Sequence, residues 1–194
     1  MPPKQRFQEP IWSAPLDVEG ELRAIPEHAQ VRGFMTAPMV AEAKRRRMTW
    51  QAPRDRYVPF TLYPLREHVR ILIDYGNELF PKYSMRQVLR KLGRAAPDAL
   101  LDSTLGKVTL GAAQGVRDIV AAFAKAYELS LQPGRAYITE EGQRQLVVKL
   151  DGVYYFLDSH HVGAFEGALK RAGVRGRVLT APLGEGSAEL LLTW

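Results

Sequence analysis

His28, His68, His160 and His161 are the residues best suited to titrate or ligate near neutral pH, and none makes the two-turn pairing of a helical metal site. His68 stands one position before Val69 on an apolar helical stripe, which aims it at a pocket or at the helix flank. His160 and His161 fall in the first turn of a late helix, where neighbouring side chains diverge by about 100°. They do not readily chelate one ion, and either one of them faces a cavity or both begin a polar helix start. The chain has no cysteine, which excludes disulfides, thiolate metal sites and a cysteine nucleophile. Asp74 with Glu78, and Asp98 with Asp102, share helix faces at i, i+4, but Arg70, Lys82 and Arg94 stand near enough for solvated ion pairing to account for them. Gly106 and Gly111 have the glycine spacing of a phosphate loop, yet Ala112-Ala113 replaces the required Lys-Ser/Thr. No Gly-x-Ser-x-Gly elbow occurs. These residues assign no catalytic group, no metal and no cofactor.

The densest charge is Lys44-Arg45-Arg46-Arg47, followed by Arg54 and Arg56. It reads either as a solvated helix end favoured by the macrodipole or as an anion or partner site. In the second case the partner is a protein, a nucleic acid or an anionic membrane. Nucleic acid is the least favoured, because no helix-turn-helix signature or glycine-aromatic strand motif accompanies the run. Lys and Arg number 27 against 21 Asp and Glu, a net charge of +6. Residues 1–56 and 57–128 each hold 10 basic and 7 acidic residues, while 129–194 hold 7 of each.

The aromatics point elsewhere. Tyr57, Phe60 and Tyr63 precede a strong helix, and Tyr137, Tyr154, Tyr155 and Phe156 fall among strands, where alternation places Tyr154 and Phe156 on one face and Tyr155 on the other. Ordinary sheet core is one reading. The other is a hollow between helices and sheet for a planar apolar ligand, lined by Tyr63, His68, Leu72, Tyr137, Tyr154 and His161.

The elements that must position these residues fall in a definite order. Residues 1–26, with five prolines, read as an extended arm anchored by Ile11 and Trp12. Met35 to Arg47 reads as a helix with a basic end. A helix begins at Pro64 and stops at Pro81; Ser84 and Gln87 form a capping box for the next, which Gly93 closes. A short helix follows from about Pro97 to Leu105, then a longer one bearing Val116, Ile119, Val120, Phe123 and Tyr127 on one stripe. After Pro133 the period changes to strands: Ala136–Thr139, Gln145–Leu150 and Val153–Leu157, with turns between them. A helix opened by Asp158 or Ser159 and closed by Gly173 precedes a last strand pair, Val178–Thr180 and Glu189–Trp194. The fold class is α+β, with helices in the N-terminal two thirds packed on a small antiparallel sheet with an inserted helix. Residues 27–194 form one domain. Its longest apolar run, Ile119 to Ala124, is far short of the roughly 18 residues of a membrane span, and the first ten residues lack a signal-peptide core, so the chain reads as cytoplasmic.

Val31-Arg32-Gly33-Phe34, Arg56-Tyr57, Tyr63-Pro64-Leu65, Leu79-Phe80-Pro81, Leu89-Arg90-Lys91-Leu92-Gly93-Arg94 and a terminal Trp194 resemble a myxobacterial family of uncharacterised single-domain proteins over roughly Pro26 to Trp194. The wider shape, with an inserted helix ending Gly-Ala-Phe-Glu-Gly-Ala-Leu, is similar to the 4-vinyl-reductase domain and its haem–nitric-oxide-binding relatives. That resemblance implies a module that binds a small hydrophobic molecule or senses a signal. The zinc-associated cysteines of the 4-vinyl-reductase domains are absent, and no histidine stands in a motif matched to the haem ligand. The leading expectation is thus a non-catalytic small-molecule-binding or signalling module, with a hydrophobic or aromatic ligand. An interaction module using residues 44–56 towards a protein partner, a second copy of the chain, nucleic acid or an anionic membrane is the alternative, and an enzyme with an unfamiliar site is the third.

Overall fold

In the computed structural model, which describes residues 6–101 and 115–194, the proline-rich start is only partly extended. Phe7 is buried against Val147, Ala181 and Leu191, and Gln8 bridges Thr180. Helix α1 (Val18–Ala24) then forms because the Asp17 carboxylate accepts from Gly20 N at 2.8 Å. Leu22 and Ile25, three apart, turn inward. The extended arm expected over 1–26 is corrected over its second half, where a cap and two apolar residues fold 18–24 into a helix; residues 1–5 lie outside the described residues. Trp12 packs on the core, whereas Ile11 stays 71% exposed.

Strand β1 (Gln30–Arg32) leads directly into helix α2 (Gly33–Arg46). Strand β2 (Leu62–Pro64) leads in the same way into helix α3 (Leu65–Leu79), and helices α4 (Met85–Leu101) and α5 (Gly115–Ser130) follow. The expected capping box starts α4: Ser84 N donates to Gln87 Oε1 at 3.1 Å and Gln87 N to Ser84 Oγ at 3.4 Å. Strand β3 (Leu131–Gln132) pairs with β1, giving a small antiparallel sheet β2-β1-β3 that ties the helices together. No local pattern announced it, because each strand is two or three residues long and its partners lie far off in the chain.

The second sheet has the order β4-β5-β7-β6, all antiparallel: β4 (Arg135–Gly142), β5 (Gln145–Asp151), β6 (Arg177–Gly184) and β7 (Ser187–Thr193). Helix α6 (His160–Arg171) is inserted between β5 and β6. The fold is therefore α+β, as the sequence implies. Alternation along β5 sorts the faces: Leu146, Val148 and Leu150 join the main core with Phe165 and Leu169 of α6, while Val147 faces Phe7 on the other side.

Two local readings give way to tertiary contacts. Gly93 does not end α4; it lies inside it, and a Cβ there would stand 2.0 Å from the His160 carbonyl oxygen. Gly163 and Gly167 face α4 in the same way, with the Arg90 and Arg94 carbonyls at 2.3 and 2.5 Å from their would-be Cβ positions. These glycines let α4 and α6 cross backbone to backbone, so the residue read as a stop is a close-approach device. Helix α4 runs on through Pro97, where a new helix was expected; the remainder of that expectation, like the Gly106–Gly111 loop, lies outside the described residues. Residues 153–157 likewise form no strand. Val153 N is bound by the Gly186 carbonyl at 2.8 Å, and Phe156 sits at φ 44, a left-handed conformation incompatible with strand alternation.

Candidate functional site

The tight turn at Phe156 sets the centre of the molecule. Its carbonyl accepts from Ser159 N at 3.1 Å and His161 N at 3.4 Å, folding the chain back into the first turn of α6. The glycine-lined crossing brings that turn hard against α4. Both His160 and His161 are consequently buried although their rings diverge at 89°, with centroids 5.1 Å apart.

His68 arrives from α3, Tyr127 from α5 and Tyr155 from the turn. Thr36 Oγ1 is 2.9 Å from His68 Nδ1, and Tyr127 Oη is 2.8 Å from His161 Nδ1. The Tyr155 ring lies 6.1, 5.8 and 4.6 Å from the rings of His68, His160 and His161. Phe123, Phe156 and Phe165 enclose the group. Among the described residues His160 Nδ1 and His161 Nε2 have no hydrogen-bond partner, and both are shielded from solvent. Unpartnered polar atoms in an apolar core cost stability and call for an explanation.

Burial decides the charge here. It lowers His68 to about 3, with His160 adding to the effect. It lowers His160 to about 4, against a hydrogen bond with the Leu89 backbone. His161 falls well below its ordinary value, first by burial and then by the neighbouring His160. Burial also raises the Tyr127 and Tyr155 hydroxyls. At neutral pH the whole group is uncharged. Among the described residues no cluster of three His, Cys, Asp or Glu is arranged to hold a metal ion.

Of the six residues expected to line a pocket, the structure brings His68 and His161 around Tyr155, with Leu72 in the same core. Tyr154 is partly buried and packs on Gly186. Tyr137 is 40% exposed on β4. Tyr63 belongs to a separate cluster with Tyr57, Val40, Ile71 and Trp50. Tyr127, Tyr155 and His160 were missed as members of the centre. Tyr127 was visible on its helical stripe, but strand alternation assigned Tyr155 wrongly.

The basic segment is largely neutralised. Glu42 accepts from Arg45 at 2.6 Å and from Arg46 at 2.5 Å, and the two guanidiniums hold its carboxyl down at about 2. Lys44 pairs with Asp55 at 3.6 Å, and Arg54 Nε with Glu67 at 3.0 Å. Arg56 is exposed. Arg47 caps α2 in the left-handed region at φ 55, ψ 46. One carboxylate of each i, i+4 pair serves as a strut: Glu78 accepts from Thr49 N and Oγ1 at 3.0 Å, and Asp98 pairs with Arg171 at 3.6 Å, while Asp102 lies outside the described residues.

No helix among the described residues is long and apolar enough to cross a membrane. No curated protein matches the sequence. Among solved structures, the Fe(II) unliganded H-NOX protein from K. algicida aligns with a TM-score of 0.62 at 9% identity, over 84% of this chain and 95% of that one. The S. oneidensis H-NOX protein in its Fe(II)NO state gives 0.60 at 12%, over 83% and 97%. A structure concerned with heme distortion in the H-NOX family gives 0.60 at 12%, over 84% and 94%. At such identities the likeness is one of fold. A family model described as a protein of unknown function, DUF2378, matches residues 24–194, so the chain belongs to the DUF2378 family and carries its sequence on an H-NOX-like fold.

Proposed function

We propose that this chain is a non-catalytic, small-molecule-binding signalling module whose responsive centre is the buried group of His68, His160, His161, Tyr127 and Tyr155. The observation that carries the reading is the pair of unpartnered imidazole nitrogens, His160 Nδ1 and His161 Nε2, inside an apolar core. A core selected for stability alone would replace them with carbon. The structural neighbours include proteins described by their heme, which raises the question of whether this centre fits that group. The described residues speak against it: Tyr155, Phe156 and Phe165, all almost wholly buried, pack around the imidazoles and Tyr127, and a porphyrin plane would have to displace them.

A smaller ligand suits the chemistry better. Neutral imidazoles in an apolar surround favour an uncharged hydrophobic or aromatic molecule bearing one hydrogen-bonding group. An anion would lose its hydration with no charge to meet it. Access requires the Tyr155–Phe156 turn to move. Phe156 is a bulky residue at φ 44, the kind of strained position that functional turns retain. Such a turn, with two arrangements of unequal ligand affinity, is what a signalling element needs.

A thermal-shift screen of the full chain against neutral aromatics, fatty acids, cyclic nucleotides and haemin tests the reading. The expectation is stabilisation by a phenol-like neutral molecule that grows logarithmically with concentration. His161→Phe, which keeps a flat aromatic ring and removes the nitrogens, abolishes the shift. Failure of every class to stabilise the folded chain would sink the proposal.

A further inference from the structure

A second place in the molecule combines a void with unspent charge. At the C-terminal end of α2, a cavity of about 330 Å³ opens between the helix and the segment that follows it, at the small end of the size range of ligand sites. Val40, Ala43, Met48, Trp50 and Ala52 are its apolar lining, and Lys44, Arg47, Gln51, Arg54 and Asp55 form its polar rim. Val40, Trp50 and Ala52 of this lining belong to a satellite cluster with Tyr57 and Ile71, separate from the main core.

The rim is out of balance because the nearby carboxylates are already committed. Glu42 serves Arg45 and Arg46, Glu67 serves Arg54 and the Tyr57 hydroxyl, and Asp55 serves Lys44. Among the described residues no ion pair reaches Arg47. Its backbone is left-handed, a C-terminal position that glycine occupies at lower cost. A large cationic side chain is thus held, against its backbone preference, at a cavity of mixed polar and apolar lining that it shares with a tryptophan.

We propose that this cavity is a binding site for a small organic anion, one carboxylate or phosphate group carried on a flat apolar body. The head meets the guanidinium of Arg47 in forked hydrogen bonds, and the body lies against Trp50, Met48 and Val40. A bare inorganic anion leaves the apolar wall unused, and a neutral aromatic leaves the guanidiniums unused. The site is independent of the buried histidine centre, which favours uncharged molecules.

Isothermal titration of the full chain with phenylacetate, phenyl phosphate, inorganic phosphate and benzyl alcohol decides the matter. One of the two aromatic anions binds saturably, one to one, and at least about tenfold more tightly than inorganic phosphate and benzyl alcohol; which of the two binds better identifies the head group. Arg47→Ala weakens that binding by about tenfold, while Arg45→Ala, whose guanidinium Glu42 already holds, leaves it unchanged with circular dichroism intact. His161→Phe also leaves it unchanged, which separates this site from the interior one. Three results would each overturn the proposal: no saturable binding of either aromatic anion, equal losses from Arg45→Ala and Arg47→Ala, or inorganic phosphate or benzyl alcohol binding as tightly as the aromatic anions.

Discussion

The buried histidine centre and the cationic cavity hold polar groups in opposite ways. Around Tyr155, burial suppresses charge: three imidazoles are held neutral and two of their nitrogens lack partners. At the end of α2, guanidiniums too basic to be neutralised by burial remain exposed, and acids are spent one by one until Arg47 is left over. A titratable group yields to its surroundings by losing its charge, whereas an arginine must be answered by a partner or by solvent. The two regions therefore select opposite ligands and respond differently to pH.

Acid separates them most strongly. The folded pKa values of His68 and His160 lie at about 3 and about 4, and that of His161 is also lowered, all below the value of about 6.5 in an unfolded chain. Below pH 6.5 the unfolded state binds protons that the folded state refuses, so stability is complete above that pH. It is lost as pH falls towards the folded values, by up to about 1.4 kcal/mol per pH unit for each histidine. Urea denaturation between pH 7 and 4.5 measures this. Replacing His68 by Phe flattens the slope, and an unchanged slope would show that burial does not hold this imidazole neutral. The cavity's affinity for an aromatic anion, set by arginines, stays constant from pH 8 to 6.

A smaller loss is expected from Gly93→Ala. The new methyl group meets the His160 backbone carbonyl, which cannot rotate away, and overpacking of this kind costs about 1–3 kcal/mol. That outweighs the roughly 1 kcal/mol by which alanine favours a helix. A denaturation midpoint at or above that of the parent would break the account of how α6 presents its histidines. Anion binding at the α2 end is unaffected.

Tyr127→Phe is the mildest test. It removes the hydroxyl 2.8 Å from His161 Nδ1 and lowers stability by about 1 kcal/mol. It also leaves His161 without its recorded side-chain partner, so the response to a neutral aromatic ligand in the thermal-shift assay changes in size. A variant identical to the parent in both stability and ligand response would remove Tyr127 from the centre.

The sequence made legible what depends on neighbours in the chain. Apolar spacing marks α3 and α5, Ser84 and Gln87 cap α4, and the strand pairs β4–β5 and β6–β7 follow their turn residues. The basic end of α2 was plain, as was its kinship with a helix terminus. The candidate site was legible only in part. His68 and His161 were suspected singly, but nothing local told that they meet. Tyr155 was assigned to the wrong kind of element because alternation assumes a strand, and a positive φ at Phe156 breaks it. Tyr137 is 40% exposed because it pairs with Lys149 on the face of the sheet away from the main core, while its neighbours Ala136 and Ile138 pack on that core.

What the chain determined by itself is the inventory and its local order: helices before sheet, no cysteine, and a surplus of positive charge shared equally by residues 1–56 and 57–128 and absent from 129–194. Capping, period and turn chemistry act over a few residues, so they can be read in line. Tertiary structure alone decided that Gly93 is a contact rather than a stop, that three histidines from two helices become neutral together, and that Arg47 is left without an acid. The first two depend on groups tens of residues apart reaching the same few ångströms, where exclusion of water and of other backbone sets their energies; the third depends on how Glu42, Asp55 and Glu67 are shared out among the cations around the end of α2.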